Sequence, residues 1–145
     1  MTSLSRSAIV NHSAREMFAL VSGIEAYPAF LPWCDRAIVT ERGPERTIAT
    51  LRINFRGLKE EFTTENRERP AERIDMTLVS GPFRRLEGSW RFTALSDTAC
   101  KVELDLRYEF ASVLLGKLVG RVFDEIAGSL VDAFARRAEK QFRRA

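Results

Sequence analysis

The sequence is short of the residues that most enzyme chemistry needs. Of its 145 residues, one is histidine (His12) and two are cysteine (Cys34 and Cys100). A zinc cluster, a histidine-based triad or a CxxC redox pair cannot be assembled from these within one chain, so no metal site is expected. The eight glycines are scattered. Neither G-x-G-x-x-G nor G-x-x-x-x-G-K-[ST] occurs, which removes the phosphate cradles of nucleotide-binding folds. No apolar run approaches the ~20 residues of a membrane helix. The amino terminus, Met1-Thr2-Ser3-Leu4-Ser5-Arg6, lacks the basic stretch and apolar run of a secretory signal. The expectation is a cytoplasmic protein with both thiols reduced and no catalytic cofactor.

What is present describes a globular chain. Apolar residues make up 45% and charged residues 30%, and a chain of this length buries roughly 68–70% of its unfolded surface in what we expect to be one domain over 1–145. The net charge is +3, and it is unevenly placed. The last ten residues hold Arg136, Arg137, Lys140, Arg143 and Arg144 against Glu139, so the tail carries +4 and residues 1–135 carry −1. One reading of the tail is a solvated helix end whose cations complement the macrodipole. The other is a basic foot for anionic lipid, giving peripheral contact with the inner face of the cytoplasmic membrane, or for ribosomal RNA.

Two periodicities divide the chain. Leu4 to Val10 reads as a strand, and Ser13-x-x-Glu16 is a capping box that opens a short helix to Val21. Gly23 stops it. Ile24, Tyr27, Phe30 and Leu31 then suggest a second helical piece, broken at Pro32. From Arg36 the period falls to two. Ala49, Leu51, Ile53 and Phe55 alternate with polar residues, as do Ile74, Met76 and Leu78. The clearest case runs from Cys100 through Val102, Leu104, Leu106 and Tyr108 to Phe110. Turn chemistry at Gly43-Pro44, Gly57, Arg69-Pro70, Ser80-Gly81-Pro82 and Ser96-Asp97 predicts antiparallel hairpins. A long helix, Val113 to Arg144, closes the chain, with Leu115, Leu118, Val119, Val122, Phe123, Ile126, Leu130, Phe134, Ala138 and Phe142 on one stripe.

This inventory implies a hollow. Seven strands at about 4.8 Å spacing make a sheet close to 29 Å wide, whereas one helix covers about 10–12 Å. The sheet must curl around the helix, leaving concave apolar volume for side chains or a guest to fill. Phe55, Trp90, Phe92, Tyr108 and Phe110 sit on apolar strand phases and are either plain core or the wall of a ligand site. Met76 on a strand, and Val119, Val122 and Phe123 on the helix, complete that candidate wall. Gly116, Gly120 and Gly128 either admit the sheet closely or make room for the guest. Trp33, Trp90 and Tyr108 are candidate hydrogen-bond donors.

Four segments carry a resemblance: Ser13-x-x-Glu16-Met17, Tyr27-Pro28-x-Phe30-Leu31-Pro32-Trp33-Cys34, Gly81-Pro82-Phe83-x-x-Leu86-x-Gly88-x-Trp90-x-Phe92 and Gly120-Arg121-Val122-Phe123. Together they resemble the START-like polyketide cyclase/dehydrase superfamily over nearly the whole chain. They are similar in particular to its subfamily of coenzyme Q-binding proteins and bacterial ribosome-association toxins. The resemblance implies an α+β helix-grip fold, a curved antiparallel sheet of six to seven strands around a long carboxy-terminal helix. It implies two functions: holding ubiquinone or a similar prenylquinone without catalysis, in support of respiration, or binding the large ribosomal subunit and blocking subunit joining. A flat quinone head wants aromatic faces and one or two donors, which suits the candidate wall. Phe30, Leu31, Trp33 and Phe83 lie in loops rich in Pro and Gly and are the candidate gate. Scattered basic residues over 1–135 do not form the continuous patch expected of an RNA binder.

Overall fold

The computed structural model describes residues 1–142, and in it each alternating stretch becomes a strand. β1 (Thr2–Val10) leads into helix α1 (Ala14–Ser22) and a short 3₁₀ helix (Ile24–Ala29). Six strands follow: β2 (Cys34–Arg42), β3 (Arg46–Phe55), β4 (Leu58–Arg69), β5 (Arg73–Ser80), β6 (Phe83–Ser96) and β7 (Ala99–Phe110). Helix α2 (Val113–Gln141) comes last. The sheet order is β1-β7-β6-β5-β4-β3-β2, antiparallel throughout. Each hairpin pairs with its sequence neighbour, and β1 returns to the free edge of β7.

Local chemistry sets the boundaries. Ser13 Oγ accepts from the Glu16 amide at 3.1 Å while the Glu16 carboxylate accepts from the Ser13 amide at 2.9 Å, so the capping box forms. The second helical piece ends at Ala29 rather than at Pro32, and Pro28 lies inside it. A two-turn 3₁₀ helix of six residues has few internal hydrogen bonds for a proline to break. Arg56 and Gly57 both have positive φ, 50° and 86°, which is the primed two-residue turn that matches strand twist. Gly81 (φ 149°) is required twice over. Its backbone lies in a region closed to side chains, and a Cβ there would sit 2.7 Å from Phe62 Cβ.

One side of the sheet is dry. Cys100, Val102, Leu104, Leu106 and Tyr108 on β7 are all buried, as are Ile74, Trp90 and Phe92. The opposite side carries ion pairs, among them Arg91 with Asp105 at 2.7 Å and Arg52 with Asp35 at 2.7 Å. Cys34 and Cys100 are free thiols, both buried.

Helix α2 lies against the dry side, its first turn capped by Ser112 Oγ, which accepts from the Leu115 amide at 3.0 Å. Its 29 residues span about 44 Å. The helix ends at Gln141 with Phe142 as its cap, short of the expected Arg144, and Arg143 and Arg144 lie outside the described residues. The buried stripe is Phe123, Ile126, Ala127, Val131, Phe134 and Ala138. This corrects the expected stripe at Leu118, which is 71% exposed. In these first turns the helix presents Gly116, Val119 and Gly120 to the core, Val119 packing partly buried there, which leaves Leu118 on the outer side. Gly116 and Gly120 lie beside the Phe110 ring, where added Cβ atoms would make ordinary contacts of 3.5 and 3.7 Å, and Gly128 lies beside Arg6.

Candidate functional site

Between the sheet and α2 is a cavity of about 90 Å³. Its wall is almost wholly apolar. Ala49, Leu51 and Ile53 of β3, Phe62 of β4, Met76 of β5 and Trp90 of β6 face Phe123, Ile126, Ala127, Leu130 and Phe134 of α2. The cavity exists because the stripe on α2 is narrower than the sheet it faces, and rings reach across part of the gap. Trp90 and Phe134 meet edge to face at 5.3 Å, and Tyr27 meets Phe134 in the same way at 5.3 Å.

The polar groups at the wall are few. Thr64 and Asn66 of β4 are buried on the inward phase, with Thr64 Oγ1 donating to Asn66 Oδ1 at 2.8 Å. That bond leaves the two amide hydrogens of Asn66 for another acceptor. Trp33 is 5% exposed, and its indole N–H is buried without a partner. An unmet buried donor costs about 1–3 kcal/mol, so an acceptor-bearing guest would recover stability there. The Tyr27 hydroxyl also reaches the wall but is committed to the Val21 carbonyl. Burial pushes its phenol above the usual tyrosine range, with Cys34 and Glu68 adding to the shift. Among the described residues, Tyr27 is the one titratable side chain on the wall.

Outside lies a groove of about 440 Å³ along the carboxy-terminal half of α2. Phe30, Leu31, Trp33, Phe55 and Ile126 form its floor, and Arg136, Arg137 and Lys140 its rim. The Arg137 guanidinium stacks 5.0 Å from the Phe30 ring centroid, and Arg56 stacks on Phe55 at 5.1 Å. Trp33 and Ile126 line both the groove and the inner cavity. These two side chains are therefore the partition between them.

The structure divides the residues singled out in the sequence. Met76, Trp90 and Phe123 line the cavity together with Trp33. Phe55, Phe30 and Leu31 line the groove instead. Phe92 packs on Phe18 at 5.7 Å, away from the cavity wall. Tyr108 and Phe110 line a second outer groove of about 430 Å³ near the start of α2. The Tyr108 hydroxyl is spent on Asp124, so it offers the cavity no donor. Val119 and Val122 pack half-buried beside the core without lining the cavity, because the stripe is turned toward Ala127 and Val131. Phe83 is locked in a ring cluster, 5.1 Å from both Phe110 and Phe123. Of the basic residues, Arg136, Arg137 and Lys140 reach the groove, whereas Arg143 and Arg144 lie outside the described residues.

Thr64 and Asn66 escaped the reading of the sequence, although the signal was present. Phe62, Thr64 and Asn66 share one strand phase, and polar residues there stand where apolar ones are expected. The expected stripe omits Ala127, and it includes Leu130 without assigning it to the cavity wall, because alanine and leucine carry no chemistry to mark them.

Comparison with known proteins follows the same lines. The chain is 42% identical to the ribosome association toxin RatA of Vibrio cholerae, over 98% of this chain and 99% of that protein. It is 30% identical to the mitochondrial coenzyme Q-binding protein COQ10 homolog B of Xenopus laevis, over 97% of this chain and 59% of that one. Among solved structures, the solution structure of an 18 kDa protein from Caulobacter crescentus matches with a TM-score of 0.76 at 30% identity, covering 97% of each chain. The Zhui aromatase/cyclase of a Streptomyces species matches at 0.85 over 98% of this chain and 96% of that one; at 16% identity the likeness is one of fold. The family model for polyketide cyclase/dehydrase and lipid transport proteins matches residues 10–135. With its curved seven-stranded antiparallel sheet and long carboxy-terminal helix, the chain belongs to that START-like family.

Proposed function

We propose that this protein is a non-enzymatic carrier that holds the head of a prenylated quinone of the ubiquinone type in the cavity between sheet and α2. The observation that carries this reading is the partition. A largely apolar cavity, with the unpartnered Trp33 indole N–H at its wall, shares Trp33 and Ile126 with an outer groove whose floor is apolar and whose rim is basic. At about 90 Å³ the cavity alone is smaller than the few hundred Å³ of ordinary ligand sites, but cavity and groove joined fall within that range. Swinging Trp33 aside unites them. The head then meets the Asn66 amide, the first isoprene units lie on Phe30 and Phe55, and the remaining tail leaves along the groove. Arg136, Arg137 and Lys140 on the rim suit anionic lipid head groups.

The wall supports holding rather than turnover. General acid–base catalysis needs a titratable group near working pH, and Tyr27, raised and hydrogen-bonded, is not one. The relative from Xenopus laevis is named a coenzyme Q-binding protein, which agrees with the quinone. The test is to purify the protein from its host, extract with organic solvent and identify the lipid by mass spectrometry. A stoichiometric prenylquinone is expected; extraction of no quinone from several preparations contradicts the proposal.

The second reading is binding to the large ribosomal subunit. The relatives named ribosome association toxin favour it, as do the cations of the last turns of α2, where Arg136 and Lys140 have no ion-pair partner among the described residues. Sucrose-gradient sedimentation with isolated large subunits tests it. Co-migration lost on Arg136→Ala with Arg137→Ala is the expected result; wild type that stays at the top of the gradient ends that reading.

A further inference from the structure

Exposed apolar side chains gather at the opposite end of α2. Val113 is 76%, Leu114 68% and Leu118 71% exposed. Leu114, Lys117, Leu118 and Arg121 stand at i, i+3, i+4 and i+7, so they share one helix face. Residues 113–121 contain two cations and no acid. On the sheet most arginines are engaged: Arg46 with Glu41, Arg52 with Asp35, Arg73 with Asp75, Arg107 with Glu87. Lys117 and Arg121 have no ion-pair partner among the described residues. The acids a turn further on are committed elsewhere, Asp124 to Tyr108 and Glu125 to Arg56 at 2.7 Å.

The opposite side of these turns packs on the protein. Gly116 and Gly120, on the other side of the same turns, rest beside the Phe110 ring, and Phe110 stacks on Phe83 at 5.1 Å. The leucines project outward from the side of the helix that faces away from that packing. Aliphatic side chains flanked by unpaired cations match an anionic bilayer, in which phosphates meet the cations and the acyl boundary takes the apolar groups. Among the described residues no helix is long and apolar enough to cross a membrane, so such contact would be with the surface.

We propose that the first turns of α2 are a docking surface for anionic bilayers, with Leu114 and Leu118 entering the acyl boundary and Lys117 and Arg121 on lipid phosphates. This surface lies about 27 Å along the helix from Arg136, so it is distinct from the basic rim of the groove, and it does not depend on which guest the cavity takes.

The test is flotation of the full chain with vesicles of phosphatidylcholine alone and of phosphatidylcholine mixed with phosphatidylglycerol, at moderate salt. Wild type is expected to float with the mixed vesicles only. Lys117→Ala and Arg121→Ala should each weaken binding about fivefold, and Leu114→Ser with Leu118→Ser by tenfold or more, on the order expected for two apolar contacts. Because these side chains are exposed, the variants should keep the wild-type circular dichroism and melting temperature. Wild type that does not float overturns the proposal. So does a double leucine variant that binds as wild type does while Arg136→Ala with Arg137→Ala abolishes binding. A wild-type dimer that the leucine changes convert to monomer assigns the face to a second copy and overturns it as well.

Discussion

Ala127 is 1% exposed and turned to the cavity, which makes it the most direct handle on the interior. Ala127→Leu should fill the empty space at little cost. A change in stability within about 1 kcal/mol is expected, less than the 1–3 kcal/mol typical of overpacking a full core, and thermal denaturation checks it. Val122 offers no such handle, since it does not line the cavity. Tyr108→Phe removes the hydroxyl from Asp124 and should cost about 1 kcal/mol, again read by denaturation. Ligand affinity should not change, because Tyr108 lines the outer groove; a loss of affinity in that variant would place the site differently. Burial pushes the Cys34 thiol up to about 11 from its ordinary 9.0. Its neutral form is the one folding favours, so this contribution is complete below about pH 9 and is lost as pH rises toward 11. Tyr27, raised in the same direction, adds to the loss. Melting temperature should therefore fall across that alkaline window, and at neutral pH a thiol reagent should label Cys34 only on unfolding.

At the scale of elements, carboxylates tie the strands together from their wet side. The hydrogen bond from Arg52 holds Asp35 below the ordinary carboxylate range and links β2 to β3. Ser5, with Arg91, does the same for Asp105 across β1, β7 and β6. Asp75 is opposed by its partial burial, but Ser89 and Arg73 outweigh that and leave it lowered too. Groups lowered by folding contribute stability above their unfolded pKa and lose it below. Acid should therefore unfold the protein progressively below about pH 4, the wet face loosening first, a trend that urea midpoints at stepped pH would follow. The strands themselves were legible from the sequence because period two survives in nearly every one of them, and α1 because Ser13 and Glu16 are spaced for a capping box. The rotation of α2 was less so. Val113 to Val122 is apolar on several sides, and periodicity alone does not say that Leu118 faces solvent; the packing of Val119, Val122 and Phe123 on the core decides it. Likewise the inward Thr64 and Asn66 become meaningful only once β4 is seen opposite α2.

For the molecule as a whole, a hollow does lie between sheet and helix, but at about 90 Å³ it is smaller than a sheet about 29 Å wide around one helix suggests. Ten phenylalanines account for the difference. Phe62, Phe83, Phe110 and Phe123 pack edge to face or stacked at one end, and Tyr27, Phe30, Trp90 and Phe134 at the other, leaving the cavity between two ring clusters. The account rests on that space opening through Trp33 to admit a quinone. Both tryptophans of the chain, Trp33 and Trp90, line it, so their fluorescence reports directly on a guest. A titration with short-chain ubiquinone should quench wild type saturably, and Ala127→Leu, with an unchanged circular dichroism spectrum, should lose the saturable part. Quenching that does not saturate in wild type, or that saturates equally in Ala127→Leu, contradicts the placement of a quinone in this cavity.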